Sequence, residues 1–181
     1  MNDGCLQEVT DLLGEDFDRD PDKPLVVLMC GIAGSGKTTF SQKMEHYGYV
    51  RLSIDEEVWS VNGRYGIDYS LEAYRDKLDE AHIRLRRKIV QCIQDKRQSV
   101  VDSSFWNREE RNEYKQLIEN AGGQWRLIYL RVDPEQLRER LKLRSQRFDA
   151  NAAFTITEEL LTAFINGFEV PEDEGEIVID N

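Results

Sequence analysis

Cysteine and histidine are scarce in this sequence, and their spacing offers no metal site. The 181 residues include only Cys5, Cys30 and Cys92, and only His46 and His82. Neither residue type forms the closely spaced pairs that bind zinc. An odd number of cysteines without a repeating spacing is also typical of reduced thiols. The sequence therefore argues against a disulfide-rich secreted scaffold and against a zinc-binding domain.

Positive charge and long apolar runs are also lacking. The chain has 24 lysines and arginines against 35 acidic residues, which gives a net charge of −11. A long nucleic-acid partner would need a basic surface along its phosphates, so this charge argues against one beyond a short end. No apolar run reaches the length of a membrane span, and the acidic N-terminal residues do not resemble a signal peptide. We therefore expect a cytoplasmic protein without a membrane partner.

The length of the chain suits one domain with a full core. Residues 1–23 are rich in Asp and Glu and are predicted to be an acidic N-terminal extension. Apolar residues at helical spacing predict a short amphipathic helix within it. Pro21 and Pro24 separate the extension from the first predicted strand, so the domain itself is predicted to cover residues 24–181.

A glycine-rich loop follows the first predicted strand, an apolar run at residues 25–30. Gly31, Gly36, Lys37 and Thr38 match the phosphate-loop pattern of a glycine, four residues and Gly-Lys-Thr. Glycines let backbone N–H groups turn towards a phosphate, and the next helix directs its positive end at the same anion. In such loops the lysine reaches the terminal phosphates and the threonine hydroxyl binds Mg²⁺. We predict ATP and Mg²⁺ as cofactors, and we prefer ATP to GTP because no guanine-reading Asn-Lys-x-Asp pattern is present. The predicted cofactor-binding residues of the loop are Gly31, Ala33, Gly34, Ser35, Gly36, Lys37, Thr38 and Thr39.

Predicted strands alternate with predicted helices along the rest of the domain. Further strands are expected at 49–53, 98–103, 125–132 and 176–179. Residue types that favour helix N-termini precede the helices, namely Ser53, Ser70, Asn107, Asp133 and either Thr155 or Thr157. This alternation predicts a parallel sheet with helices on both faces, whose ligands bind at the carboxyl ends of the strands.

The phosphate loop, Asp55, the strand end Val100-Val101-Asp102 and an arginine-rich helix together resemble the P-loop kinases. The resemblance is to the small-molecule and polynucleotide-kinase-like types, which include the zeta-toxin, chloramphenicol-phosphotransferase and AAA_33 groups, and it covers residues 24–181. It implies a three-layer P-loop NTPase fold with a central five-stranded parallel sheet in the order 2-3-1-4-5 and an arginine-rich lid. It also implies transfer of the γ-phosphoryl group of ATP to a hydroxyl.

Two acidic residues are candidates for the chemistry. In similar kinases an Asp just after the second strand activates or orients the acceptor hydroxyl, and Asp55 in Ser53-Ile54-Asp55 matches it. Transfer to an alcohol needs such a carboxylate, although Asp55 also suits the first turn of a helix. Asp102 ends an apolar strand, so the resemblance makes it a ligand of Mg²⁺ through water or a contact of the acceptor. It could also form only a turn beside Ser103 and Ser104.

The segment 138–147 is basic in an acidic chain. It holds Arg138, Arg140, Lys142, Arg144 and Arg147 against the single acid Glu139. Helical spacing places Arg140, Arg144 and Arg147 on one face. In similar kinases such arginines form a lid and stabilise charge on the transferring phosphoryl group, so we predict nucleotide contacts for all three and a catalytic role for Arg144 beside Lys37. Residues 148–153 look mobile, as a closing lid requires.

Residues 56–80 are aromatic and basic, so we predict that the acceptor pocket comes from them. Trp59, Arg64 and Tyr74 are its candidate contacts, with Asp55 and Asp102 beside them. Arg108 and Arg111 lie one turn apart on the next predicted helix. They could steer the acceptor or a phosphate, or could lie on a solvated helix face.

The sequence favours a small-molecule kinase and leaves two alternatives. A polynucleotide 5′-hydroxyl kinase would use the same loop, but the acidic total and the lack of a nucleic-acid-binding domain count against it. A nucleotide-binding ATPase or switch acting on a protein partner would also use it, with the acidic residues 1–23 as a docking element. A shikimate- or gluconate-type kinase is a further possibility within the first class, although no specific acceptor motif is present.

Overall fold

The computed structural model describes residues 20–63, 67–144, 150 and 156–181. The predicted helix in residues 1–23 therefore lies almost wholly outside the described residues. The described chain forms a five-stranded sheet, with β1 at Leu25–Cys30, β2 at Val50–Ser53, β3 at Ser99–Asp102, β4 at Gln124–Arg131 and β5 at Glu176–Asp180. All neighbouring strands are parallel, and their order β2-β3-β1-β4-β5 confirms the predicted fold class.

Helices connect the strands and cover both faces of the sheet. Their bounds are α1 at Lys37–His46, α2 at Ile54–Asn62, α3 at Leu71–Gln94, α4 at Arg108–Asn120, α5 at Pro134–Arg144 and α6 at Glu158–Gly167. No helix among the described residues is both long enough and apolar enough to cross a membrane.

Side-chain caps fix where three of these helices begin. The Ser53 hydroxyl accepts a hydrogen bond from the backbone N–H of Glu56 at 3.4 Å. The Asn107 side chain accepts from the N–H of Glu110 at 2.8 Å, and Thr157, rather than Thr155, caps α6. Ser70 precedes α3 as predicted but makes no cap bond. Because Ser53 both ends β2 and caps α2, Asp55 is held in the first turn of α2, directly above the sheet edge.

The core consists of two clusters, one on each face of the sheet. Alternate residues of β1 face opposite sides, as the pleat requires. Leu28 packs in the cluster that includes Leu85 of α3, while Val27 packs in the cluster that includes Met44 of α1. All six residues of β1 are fully buried, so the strand that carries the phosphate loop lies within the core.

Candidate active site

A cleft of about 700 Å³ lies at the carboxyl ends of the strands. It is lined by the loop after β1, by residues that follow β2 and β3, and by side chains from α1, α3, α5 and α6. The predicted site residues that it brings together are Ala33, Gly34, Gly36, Lys37, Thr38, Thr39, Asp55, Tyr74, Asp102, Arg140 and Arg144.

The phosphate loop, residues 31–38, has a backbone that only glycine tolerates at two key points. Gly31 and Gly36 have φ angles of 144° and 98°. A Cβ at Gly31 would lie 2.7 Å from the Ser35 hydroxyl oxygen, so the loop could not close over a larger residue. Ser35 is buried beneath the loop and shapes it without lining the cleft. The Asn181 amide donates to the Ser35 carbonyl at 2.8 Å, which ties the loop to the end of β5.

Lys37 turns its ammonium group back into the loop. Nζ donates to the carbonyl oxygens of Gly31 at 2.8 Å and Ile32 at 3.0 Å. Loss of hydration lowers the pKa of Lys37, while the negative charges of Asp102 and Asp55 act in the opposite direction. The cation is therefore held inside the loop that would surround a phosphate group.

Asp55 faces the same cleft from the first turn of α2. Loss of hydration within the cleft and the negative charge of Asp102 raise the pKa of Asp55, and the charges of Arg144 and Lys37 offset part of this rise. A carboxylate with a raised pKa is a better proton acceptor than an ordinary surface Asp. Both the position and the charge environment therefore suit a general base.

Asp102 is fixed by a residue that the sequence analysis did not single out. Arg51 of β2 donates two hydrogen bonds to Oδ2 of Asp102, at 2.8 Å from Nη2 and 3.3 Å from Nε. Its Nη1 also bonds to Glu56 at 2.6 Å. The one sequence signal for Arg51 is a charged residue between the apolar residues Val50 and Leu52 of a predicted strand. The pair holds an acidic side chain at the carboxyl end of β3, where it lines the cleft.

The arginines of α5 occupy the wall opposite the sheet edge. Arg140 donates to the carbonyl of Gly34 at 3.4 Å, so it lies over the phosphate loop. Arg144 lines both the cleft and a small adjoining cavity, which it shares with Asp55, Trp59 and Tyr74. The predicted contacts Arg147 and Arg64 lie outside the described residues, as does most of the predicted lid at 148–153.

The structure does not bring Arg108 and Arg111 to the cleft. Arg111 is fully buried and forms two hydrogen bonds to the carboxylate of Glu174, at 2.8 and 2.6 Å. Arg108 donates its backbone N–H to Glu169 at 2.8 Å and its guanidinium lies 3.3 Å from Glu174. Both arginines therefore anchor the segment 169–174 to α4, and this pairing explains why neither is available to steer an acceptor.

The cleft also contains an aromatic wall that the sequence analysis missed. Trp106, in the loop after β3, lines the cleft together with Phe164 of α6, and their ring centres are 5.2 Å apart. Ser103, Ser104 and Ile156 complete this wall. No motif marks these residues, because they come together only when α6 folds back over the sheet.

With this geometry in place, comparisons with known proteins identify the class of the chain. It belongs to the AAA_33 family of AAA domains, whose profile matches residues 26–171. Among solved structures, a candidate kinase from Chloroflexus aurantiacus superposes with a TM-score of 0.67 at 19% identity, covering 89% of this chain and 87% of that one. The APS kinase of Mycobacterium tuberculosis, solved with AMPPNP and APS, gives a TM-score of 0.60 at 15% identity, covering 88% and 90%. The fold is thus the one found in P-loop kinases.

One curated relative is the signal recognition particle 54 kDa protein of Thermococcus gammatolerans. It is 30% identical over 129 residues, which are 62% of this chain and 29% of the relative. The chain thus spans less than a third of that relative's length.

Proposed function

We propose that this protein is a kinase that transfers the γ-phosphoryl group of ATP to a hydroxyl group of a small molecule. The observation that carries the proposal is the shared cleft, in which Asp55 faces the phosphate loop across a space large enough for a nucleotide and an acceptor. Transfer to a hydroxyl needs a base or an orienting carboxylate beside the attacking oxygen, and Asp55 is placed to serve as one.

The loop and α5 would bind the triphosphate. Backbone N–H groups of residues 31–38 would surround its phosphates at the N-terminus of α1. Lys37 would exchange its two carbonyl partners for phosphate oxygens, since both kinds of acceptor lie within the same loop. Arg140 and Arg144 would stabilise the negative charge that spreads over the transferring group.

Thr38 and Asp102 fit the role of Mg²⁺ ligands. Both line the cleft and both offer oxygen atoms, which Mg²⁺ prefers. Both hydrogen bonds from Arg51 end on Oδ2 of Asp102, so Oδ1 is the oxygen best suited to a water of the ion. When bound, Mg²⁺ supplies charge neutralisation to the phosphates.

Asp55 would take the proton of the acceptor hydroxyl. The deprotonating oxygen attacks the γ-phosphorus, the bond from that phosphorus to the bridging oxygen breaks, and ADP leaves. The raised pKa of Asp55 supports this role, because the carboxylate can hold the proton while the reaction proceeds.

The test is a screen for ADP release with MgATP and a panel of hydroxyl-bearing metabolites and antibiotics. Wild type is compared with Asp55→Asn and with Asp76→Asn, a matched change at an exposed position of α3. We expect an acceptor to stimulate wild type and Asp76→Asn, and Asp55→Asn to bind ATP normally while losing transfer. Equal turnover in all three proteins would remove Asp55 from the mechanism.

Two other outcomes would point elsewhere. ADP release that responds only to a protein partner would indicate a nucleotide switch. Salt-dependent binding and labelling of an oligonucleotide end would indicate a polynucleotide 5′-hydroxyl kinase.

A further inference from the structure

The strand order separates the cleft into two halves. The phosphate loop follows the central strand β1; β2 and β3 lie on one side of it, and β4 and β5 on the other. Asp55 follows β2 and Asp102 ends β3, whereas Asn181 follows β5 and Arg140 comes from the helix after β4. Because Asp55 is the proposed base, the acceptor of the proposed kinase would bind in the half on the side of β2 and β3. Trp106, from the loop after β3, lines the same half.

Apart from Asp55, Asp102 and Arg144, which shares the small adjoining cavity with Asp55 and Tyr74, the described residues that line this acceptor half are uncharged. These uncharged residues are Ile54, Tyr74, Leu78, Ser103, Ser104, Trp106, Ile156 and Phe164. Aromatic and aliphatic surface dominates, and the serine and tyrosine side chains offer neutral hydrogen-bonding groups. Such a surface favours a flat or apolar portion of a ligand, with hydroxyl groups at its edge.

Trp106 is held in position by two backbone hydrogen bonds and two ring contacts. Its backbone N–H donates to the Glu110 carboxylate at 3.1 Å, and its backbone carbonyl accepts from the backbone N–H of Glu169 at 3.0 Å. Its ring contacts Phe164 and also Phe168, whose ring centre is 5.9 Å away. Because these contacts already hold the wall in place, a flat ligand would lose little affinity to ordering of the protein.

Buried Arg111 supports this wall from behind. It donates to the carbonyl oxygens of Phe105 at 3.0 Å and Glu169 at 2.8 Å. Both carbonyls are next to Trp106. Phe105 directly precedes it in the chain, and the N–H of Glu169 donates to the Trp106 carbonyl. Arg111 is thus a positioning residue for the wall rather than a contact of the acceptor.

The proposed function uses every cation that the described residues bring to the cleft for the phosphates of ATP. Among the described residues that line it, the cations are Lys37, Arg140 and Arg144, and the carboxylates are Asp55 and Asp102. The proposed function assigns all three cations to the phosphates of ATP, which stay net negative even with Mg²⁺ bound. An acceptor with its own anionic group would then meet two carboxylates and a triphosphate without a partner.

We infer that the acceptor is a hydroxyl compound with an apolar or aromatic face and without a phosphate, sulfate or carboxylate group, bound with that face against Trp106 and Phe164. This inference rests on the proposed function, because it names the class of acceptor that the proposed kinase would take. It separates this chain from the APS kinase that shares its fold, whose structure contains APS.

The first test uses matched pairs of acceptors that differ by one anionic group. An aryl diol is compared with an aryl hydroxy acid, and a nucleoside with its 5′-monophosphate, in the ADP-release assay. We expect the uncharged member to react with at least about tenfold higher kcat/KM, a difference of about 1.4 kcal/mol. Equal or better reaction of the anionic members would overturn the inference and leave the proposed kinase function intact.

Variants of the wall provide the second test. Trp106→Leu should raise the KM for the acceptor about tenfold without changing the KM for ATP, and Trp106→Phe should restore most of the loss because an aromatic ring remains. Leu78→Lys should shift the preference towards anionic acceptors, whereas Leu143→Lys, a change at an exposed residue of α5, should not. An unchanged acceptor KM in Trp106→Leu would place the acceptor elsewhere.

A binding measurement covers the case in which nothing is phosphorylated. The same pairs are titrated by equilibrium dialysis in the presence of a non-hydrolysable ATP analogue. If no acceptor is phosphorylated, saturable binding of the uncharged members that Trp106→Leu weakens about tenfold would still support the inference. No saturable binding by any uncharged member would overturn the inference itself.

Discussion

Arg51 and Asp102 form a buried ion pair at the carboxyl edge of the sheet, with Nη2 of Arg51 2.8 Å from Oδ2 of Asp102. Each side chain is only 5% exposed. The two residues belong to the paired strands β2 and β3, in which Ser53 is the register partner of Asp102. The strand pairing therefore sets the orientation of an acidic side chain that lines the cleft.

Removing the cation of this pair should destabilise the protein strongly. Arg51→Met leaves the Asp102 carboxylate buried without its partner, and we expect a loss of about 3 kcal/mol in the free energy of unfolding. Urea denaturation measures it. The double variant Arg51→Met/Asp102→Leu should recover much of the loss, because it removes the uncompensated charge as well. A single variant as stable as wild type would show that the pair contributes little.

The pH dependence of transfer should report the raised pKa of Asp55. A general base must be ionised, so kcat/KM should fall as the pH drops through the Asp55 pKa, which lies above that of an ordinary Asp. The pH profiles of kcat/KM for wild type and Asp76→Asn should agree. A fall only where ordinary Asp residues titrate would contradict the electrostatic description of the site.

The raised pKa of Asp55 also means that its ionised form lowers the stability of the folded protein. Because folding raises the pKa of Asp55, the folded state holds the proton more tightly than the unfolded chain, and ionisation above that pKa costs stability. Asp55→Asn should therefore be at least as stable as wild type at neutral pH while being inactive. Thermal unfolding at two pH values checks this, and a marked loss of stability would indicate that the carboxylate supports the fold.

Local motifs explain how much of the site the sequence could predict. The phosphate loop and Asp55 come just after a strand and Asp102 ends one, so a short stretch of sequence specifies both the residue and its place at the sheet edge. Trp106 and Asn181 could not be found in this way. Trp106 meets Phe164 of α6, and Asn181 bonds to Ser35 of the phosphate loop, so the role of each depends on a residue far away in the sequence.

Arg111 was predicted as a site residue, but it does not line the cleft. Its spacing from Arg108 suggested a shared exposed face of a helix, yet Arg111 is fully buried. The partner that allows this burial is Glu174, which lies 63 residues further along the chain. Helical periodicity describes only one element, so it cannot reveal a charge that is neutralised by a distant segment.

The pair of Arg111 and Glu174 leads to a prediction about acid stability. Burial alone would raise the pKa of Glu174, but the hydrogen bonds and charge of Arg111, with Arg108 and Lys115, lower it from 4.5 to about 2. The stability from this group is thus complete above the unfolded value and is lost as the pH falls towards about 2.

Glu174→Gln should therefore remove stability on the order of 3 kcal/mol at neutral pH and should flatten the loss of stability at acidic pH. Glu172→Gln is the matched control, since Glu172 is exposed in the same segment. Chemical denaturation at neutral and acidic pH measures both. Parallel pH curves for wild type and Glu174→Gln would show that other carboxylates cause the acid response.

The last prediction concerns Lys37, whose ammonium is bonded to two carbonyls of its own loop. Lys37→Met should weaken ATP binding by about tenfold to a hundredfold, since a charge-assisted hydrogen bond contributes roughly 1.5–3 kcal/mol. Lys43→Met, a matched change at an exposed position of α1, should leave ATP binding unchanged. Calorimetric titration with adenosine separates the two possible causes of a loss. If Lys37 contacts the terminal phosphates, adenosine should bind both variants as it binds wild type, because adenosine has no phosphate. A parallel loss of adenosine binding in Lys37→Met would mean that the two carbonyl bonds hold the loop open for any nucleoside and that the lysine acts on loop shape instead.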